Sequence, residues 1–311
     1  MSKPTPMNNH AHEFKKIIEG FHYSRGIREI FIDWLELAAC AVHQEPYHLG
    51  LVQKDEAFNK IEEQYLAVAK KYNREELDTF GKLLGITKMA LWEEKTDFLG
   101  QLYMDLEISQ ERSGEFFTPF SLSLMIAKMT LDNSGEHIKE KGFITVSEPA
   151  CGGGGMLIAA AKVLEEAGYN PSEVMFFDAT DISKPCCDMA YLQTSILGLS
   201  GIVRHGDTLR MNEWSNRFTP VCRVYPARTN TFIDSLKPSK TDETPPAPSD
   251  LKQNQEQQTL ALNLAAETSG IKASEKTKEQ EKAPKTAAKP DVIDKLSQET
   301  DTSSYVQGSL F

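Results

Sequence analysis

Residues 143–155, FITVSEPACGGGG, decide how the rest of the sequence is read. A short β-branched strand stops at an acid and a proline and then meets four glycines. Glycine has no Cβ, so the backbone can take positive φ and lie close to a ligand, which is how a strand-to-helix turn is built for a nucleotide. The segment that follows, MLIAAAKVLEEAG, has a helical apolar pattern and ends at Gly168, the usual residue past a helix C-terminus.

A second strand is predicted over residues 174–180 (VMFFDAT) and runs into Asp181, about thirty residues after the glycines. An acid in that place accepts hydrogen bonds from ribose hydroxyls in nucleotide-binding α/β folds. The glycine run lacks the GxGxxG spacing, and such a turn serves structure as readily as function. A phosphate loop is disfavoured, because no Gly-Lys-Ser/Thr follows and Met156 stands where the lysine is needed. A ligand with a ribose and no polyphosphate is left, and S-adenosylmethionine (SAM) fits.

Four motifs then fall in one order: SGEFFTP at residues 113–119, EPACGGGG at 148–155, Asp181 within TDIS, and Gly206-Asp207-Thr208-Leu209. In that order they resemble the adenine-specific DNA methyltransferases, most closely the modification subunits of type I restriction systems. The resemblance covers about residues 95 to 210. It implies that Phe116, Phe117 and Thr118 cover the methionine part of SAM. Glu148, Pro149, Ala150, Gly152 and Gly154 would form the SAM loop, with Glu148 on the methionine amino group. Asp181 would bind the ribose, and Asp207 would meet the adenine ring, taken as the substrate's. Each element also has an ordinary reading. Thr118 and Pro119 make a good helix start, paired phenylalanines are commonly core, Glu148 is an acid after a strand, and Asp207 suits a turn.

The sequence departs from the family at one point. These enzymes carry Asp/Asn/Ser-Pro-Pro-aromatic after the GD segment, where polar groups hold the target amine and the aromatic stacks on a flipped base. Residues 213–234 read EWSNRFTPVCRVYPARTNTFID, in which Tyr225, Asn230 and Phe232 are only distant stand-ins for the catalytic residues. Two further readings therefore stay open. One is a non-catalytic SAM-binding or DNA-associated accessory protein recruited through its tail; the other is methylation of RNA or protein.

The expected fold class is α/β, a Rossmann-like SAM-dependent methyltransferase sheet with an N-terminal helical domain and a disordered C-terminal tail. Residues 1–11 are expected to be flexible, and 12–112 to form the helical domain. In it Ile27, Ile30, Phe31, Trp34, Leu35 and Ala38 share one apolar face, and Asn73 caps a helix with glutamates in its first turn. His43 and His48 read as surface or capping residues. Residues 113–236 alternate helix and strand, which argues for a parallel sheet with Glu148, Asp181 and Asp207 at the C-terminal strand ends.

The 311 residues carry a formal net charge of −11, which opposes sequence-independent attraction to DNA. Arg204, Arg210, Arg217, Arg223 and Arg228 nevertheless cluster after the third strand, as a local basic surface beside the site or as solvated loop arginines. A DNA enzyme with weak intrinsic affinity needs help from a partner, and a separate specificity subunit would be one. The five cysteines show no metal-ligand or disulfide spacing, so no metal is expected, and adjacent Cys186 and Cys187 read as buried small residues. No apolar run is long enough for a membrane and the N-terminus is polar, so a cytoplasmic location is expected.

Residues 237–304 contain no aromatic residue and are rich in Lys, Glu, Gln, Ser, Thr, Pro and Ala, the composition of a disordered linker. At 305–311 the chain turns apolar again. The last five residues, QGSLF, look like the peptide by which bacterial polymerases and repair proteins dock on the sliding clamp, with Gln307, Leu310 and Phe311 as anchors. Gly308 stands where that peptide usually has leucine.

Overall fold

The computed structural model describes residues 6–21, 25–106 and 117–235, and shows a mixed α/β protein. Five helices come first: α1 (Pro6–Glu19), α2 (Ile27–His48), α3 (Glu56–Ala69), α4 (Arg74–Glu93) and α5 (Phe98–Asp105). Next are α6 (Phe120–Thr130), α7 (Ser134–Lys141), β1 (Ile144–Glu148), α8 (Gly155–Glu166), α9 (Pro171–Val174), β2 (Met175–Asp181) and α10 (Lys184–Ile196). The described chain ends with β3 (Ser200–Asp207), β4 (Asn212–Phe218), α11 (Pro220–Val224) and α12 (Pro226–Ser235). The expected linker and the residues Phe116, Gln307, Leu310 and Phe311 lie outside the described residues. Among the described residues no helix is long and apolar enough to cross a membrane.

Local chemistry accounts for the helix starts. The Asn73 side chain accepts from the Glu76 amide while the Glu76 carboxylate accepts from the Asn73 amide, a reciprocal cap for α4. Helix α1 begins at Pro6, inside the stretch expected to be flexible, and it is anchored by Phe14, whose ring meets Trp34 edge-on at 4.9 Å. Helix α6 starts at Phe120 with Pro119 in the capping position, so Thr118 does not cap it.

The helical half and the sheet are not separate bodies. Ile30, Phe31, Trp34 and Leu35 of α2 share a core with Phe98 and Leu102 of α5 and with Cys186, Met189 and Leu192 of α10. Cys187, one residue along, faces a second core with Leu157, Phe177 and Ala179. Helix α10 therefore has no solvent face along most of its length, and it joins the two halves.

The sheet order is β1-β2-β3-β4. The first three strands are parallel, as expected, and β2 is a near-continuous apolar run because both its faces are covered. The fourth corrects the expected alternation: β4 pairs antiparallel with β3 as a hairpin, with an irregularity at His205/Gly206. The chain turns there because the Asp207 carboxylate accepts from the Arg210 amide and Met211 takes φ +53°. Helices α11 and α12 cover the opposite face of β2 and β3 through Cys222 and Phe232, while Thr145 and Ser147 of β1 stay exposed.

His43 is a second correction. It is 1% exposed, facing α10 and the hairpin, with Nδ1 2.8 Å from the Tyr191 hydroxyl. Burial, and then the guanidiniums of Arg217 and Arg223, push its pKa down to about 2. Unfolding restores an ordinary imidazole, so the unfolded chain takes up a proton below pH 6.5 that the folded chain refuses. The His43 contribution is full above pH 6.5 and is lost as pH falls toward 2. Urea unfolding in chloride buffer at pH 7.5 and 5.0 should show a smaller acid loss of stability in His43→Gln than in the native chain. Equal losses in the two proteins would refute this.

Candidate functional site

The glycine turn is held from three sides. From below, the Cys151 amide donates to the Thr180 carbonyl at 2.9 Å, tying the turn to β2. The Gly152 amide donates to Asp181 Oδ2 at 2.8 Å, and the Ser183 amide donates to Asp181 Oδ1 at 2.9 Å. From above, the Phe117 ring lies over Gly152 and Gly153 and meets Tyr103 of α5 at 5.6 Å. At the far end of the sheet edge, the Thr208 hydroxyl donates to the Pro149 carbonyl at 2.7 Å, which draws the end of β3 onto the end of β1.

A further support carries no signal in the sequence. Asp97 caps α5 by accepting from the Gly100 amide at 3.0 Å, and it is buried beneath the glycine turn. Gln193 of α10 donates to Asp97 Oδ1 at 2.8 Å and to the Gly153 carbonyl at 2.7 Å, and accepts from the Leu99 amide at 2.9 Å. Burial raises the Asp97 pKa, opposed by the bonds from Gln193 and Gly100. A lone Asp before a helix and a mid-helix Gln carry no distance information, so the sequence had no signal that residues so far apart meet.

Two glycines are required by this geometry. Gly154 has φ +92°, and its missing Cβ would stand 3.2 Å from the Ala190 backbone. A Cβ on Gly153 would stand 2.9 Å from Asp97 Oδ1 and 3.3 Å from Gly100 Cα.

Phe117, Glu148, Pro149, Ala150, Gly152, Gly154, Asp181 and Asp207 therefore line or border one end of the sheet. The Glu148 carboxylate accepts from the Ala150 amide at 3.2 Å, and burial raises its pKa, helped by the nearby Asp181. Asp207 has a partner in Arg210, with Nε at 3.6 Å. Among the described residues Glu148 and Asp181 have no cation within ion-pair distance. The arrangement can hold a ligand with hydroxyl donors and positive charge, and it repels polyphosphate.

Residues 95–233 match the model of the family described as N-6 DNA Methylase. This part of the chain is similar to that family. No curated protein and no solved structure matches the chain. The matched segment starts just before Asp97, so it takes in α5 and the buried support as well as the glycine turn, and it ends within α12.

The three catalytic stand-ins are not brought to this end. Phe232 is 2% exposed, with its ring 5.1 Å from Phe176 and 4.7 Å from Phe143, and cannot stack on a base. Phe176 and Phe143 mark the N-terminal strand ends, about 17 Å along β2 from Asp181 at about 3.3 Å per residue. Tyr225 and Asn230 are exposed on the same α11–α12 segment, which covers that end because Thr219 binds Gly201 early in β3. Nor do the five arginines form one basic surface. Arg204 is paired with Asp178 at 2.7 Å and with Glu213, and Arg228 lies over Tyr225.

Gln193→Ala leaves the Leu99 amide, the Gly153 carbonyl and one side of Asp97 without partners, and Gly153→Ala forces Asp97 aside. Each should lower the unfolding free energy by about 2–4 kcal/mol in urea titrations, whereas the exposed Asn230→Ala should change it by less than about 0.5 kcal/mol. Native-like stability of Gln193→Ala would show that this support is dispensable.

Proposed function

We propose that the chain is a SAM-dependent DNA methyltransferase acting on the exocyclic amine of adenine, with the three parallel strands as a Rossmann-like cofactor sheet. The observation that carries the reading is a pair of uncompensated carboxylates, Glu148 and Asp181, on a glycine turn beneath Phe117, within the N-6 DNA methylase segment. SAM brings an ammonium, a sulfonium and a ribose, so its charge and its donors complement those acids. Glu148 would hold the ammonium, Asp181 the ribose hydroxyls, and Gly152 and Gly154 would let the backbone come close. Phe117 would shield the methionine part from water, and Asp207 would meet the adenine ring. SAM supplies an already activated methyl group, so the remaining work is orientation of the target amine.

A second reading, a SAM-binding accessory protein without transfer, is favoured by one observation: Tyr225, Asn230 and Phe232 stand at the far end of the sheet. Labelled methyl transfer to unmethylated DNA, alongside calorimetric SAM binding, separates the two. The first reading expects label in adenine, and Glu148→Gln should weaken SAM about 10- to 100-fold through loss of a charge-assisted bond. SAM binding without incorporation supports the accessory reading. Failure of the folded chain to bind SAM sinks both.

With a net charge of −11, retention on DNA calls for recruitment. The proposal assigns this to the C-terminal QGSLF, docking on a sliding clamp through Gln307, Leu310 and Phe311, with a specificity subunit as a further partner. Removal of residues 307–311 should abolish retention on immobilised clamp. Unchanged retention would eliminate that role.

A further inference from the structure

A cavity of about 230 Å³ lies between α2, α3, α10 and the β3–β4 hairpin, away from the glycine turn. None of Phe117, Glu148, Gly152 or Asp181 lines it. Its walls carry Lys60, Lys184, Arg217 and Arg223 against a single carboxylate, Asp188. That carboxylate is already paired with Lys184, and Lys60 reaches Glu56 at 3.4 Å on the surface. Among the described residues Arg217 and Arg223 have no carboxylate within ion-pair distance.

Both guanidiniums are only partly satisfied. Arg217 donates from Nη2 to Gln64 Oε1 at 3.3 Å and lies over the Tyr191 ring, while its Nη1 is enclosed and has no partner. Arg223 donates from Nη1 to the Tyr47 hydroxyl at 2.8 Å, while its Nε is enclosed and has no partner. The third orphan is Nε2 of the buried His43. The Tyr191 hydroxyl lies 2.8 Å from Nδ1 and 3.4 Å from the Phe218 carbonyl; in the tautomer in which it donates to Nδ1, the neutral ring carries its proton on Nε2. Three residues on three different elements thus line one cavity, and each has an enclosed nitrogen without a partner.

Buried polar groups are nearly always hydrogen-bonded, and enclosed cations without a paired carboxylate are costly, so such a cluster suits an anionic occupant. Arginine forks match the oxygens of phosphate, and two of them balance a dianion. The volume is below the roughly 300–1,000 Å³ of sites for drug-sized ligands, yet several times the roughly 30 Å³ of one water. We propose that this cavity is a binding site for a phosphate dianion, held by Arg217, Arg223 and His43. The phosphate is either the free ion or the head of a small phosphomonoester. The site is independent of the SAM reading.

The test is calorimetric titration of the full chain with inorganic phosphate at constant ionic strength, chloride making up the balance. The native chain should show one saturable site, and Arg217→Gln and Arg223→Gln should each weaken it at least tenfold. Arg74→Gln, which alters an exposed pair on α4, should leave it unchanged. Should either cavity variant fail to fold, the melting temperature of the native chain decides. Phosphate must raise it above an equal ionic strength of chloride. Absence of both saturable heat and that rise would overturn the site, as would undiminished binding in the folded double variant. Displacement of phosphate by deoxyadenosine monophosphate would identify a phosphomonoester as an accepted occupant. Its failure to compete would assign the site to the free ion.

Discussion

Gln193 reaches three parts of the molecule with one amide: the start of α5, the Asp97 carboxylate and the glycine turn. Each of those groups is buried, and apart from the Gly100 amide on Asp97 the Gln193 amide is the side-chain partner that joins them. Asp97 in turn fills the space that a side chain at Gly153 would occupy, which makes the bareness of the turn a packing requirement as well as a ligand requirement. The helical half, the sheet and the candidate site are therefore fixed to one another by a few polar bonds beneath the turn. An apolar core alone would allow the turn to settle in several ways, whereas three directional bonds allow one.

Much of this was legible in the residues. Glycines at 152, 154 and 168 take the positive φ that their positions called for, and the Asn73–Glu76 cap stands where its spacing put it. The three parallel strands were readable from their short β-branched and aromatic runs, of which β2 and much of β3 are buried. β4 was not, because its first five residues are exposed and carry no alternation of apolar and polar residues. Phe232 shows the converse error. A phenylalanine near a proline and an asparagine resembles a stacking residue in one dimension, and only the fold shows its ring between Phe143 and Phe176.

The arginines illustrate why charge counted along a chain differs from charge in space. Five were grouped by sequence, yet Arg204 is neutralised by Asp178 and Glu213, Arg210 by Asp207, and Arg228 turns onto Tyr225. Arg217 and Arg223 have no carboxylate within ion-pair distance among the described residues, and together with burial they depress the basicity of His43. The acidic end of the sheet and this basic cavity are set on different elements of one body. Opposite electrostatic characters can thus coexist in a chain whose net charge is strongly negative.

The strand order also bears on how the molecule assembles. Strands lie side by side in the order in which they occur, so pairing Phe176 with Ser200 closes a loop of only 24 residues, and Ile202 with Phe218 only 16. The bonds from Gln193 to Asp97 and from Tyr191 to His43 instead join residues 96 and 148 positions apart. Loop closure costs more entropy as separation grows, and long-range contacts slow folding. The sheet can form strand by strand, while the glycine turn takes its final shape only when α5 has met α10.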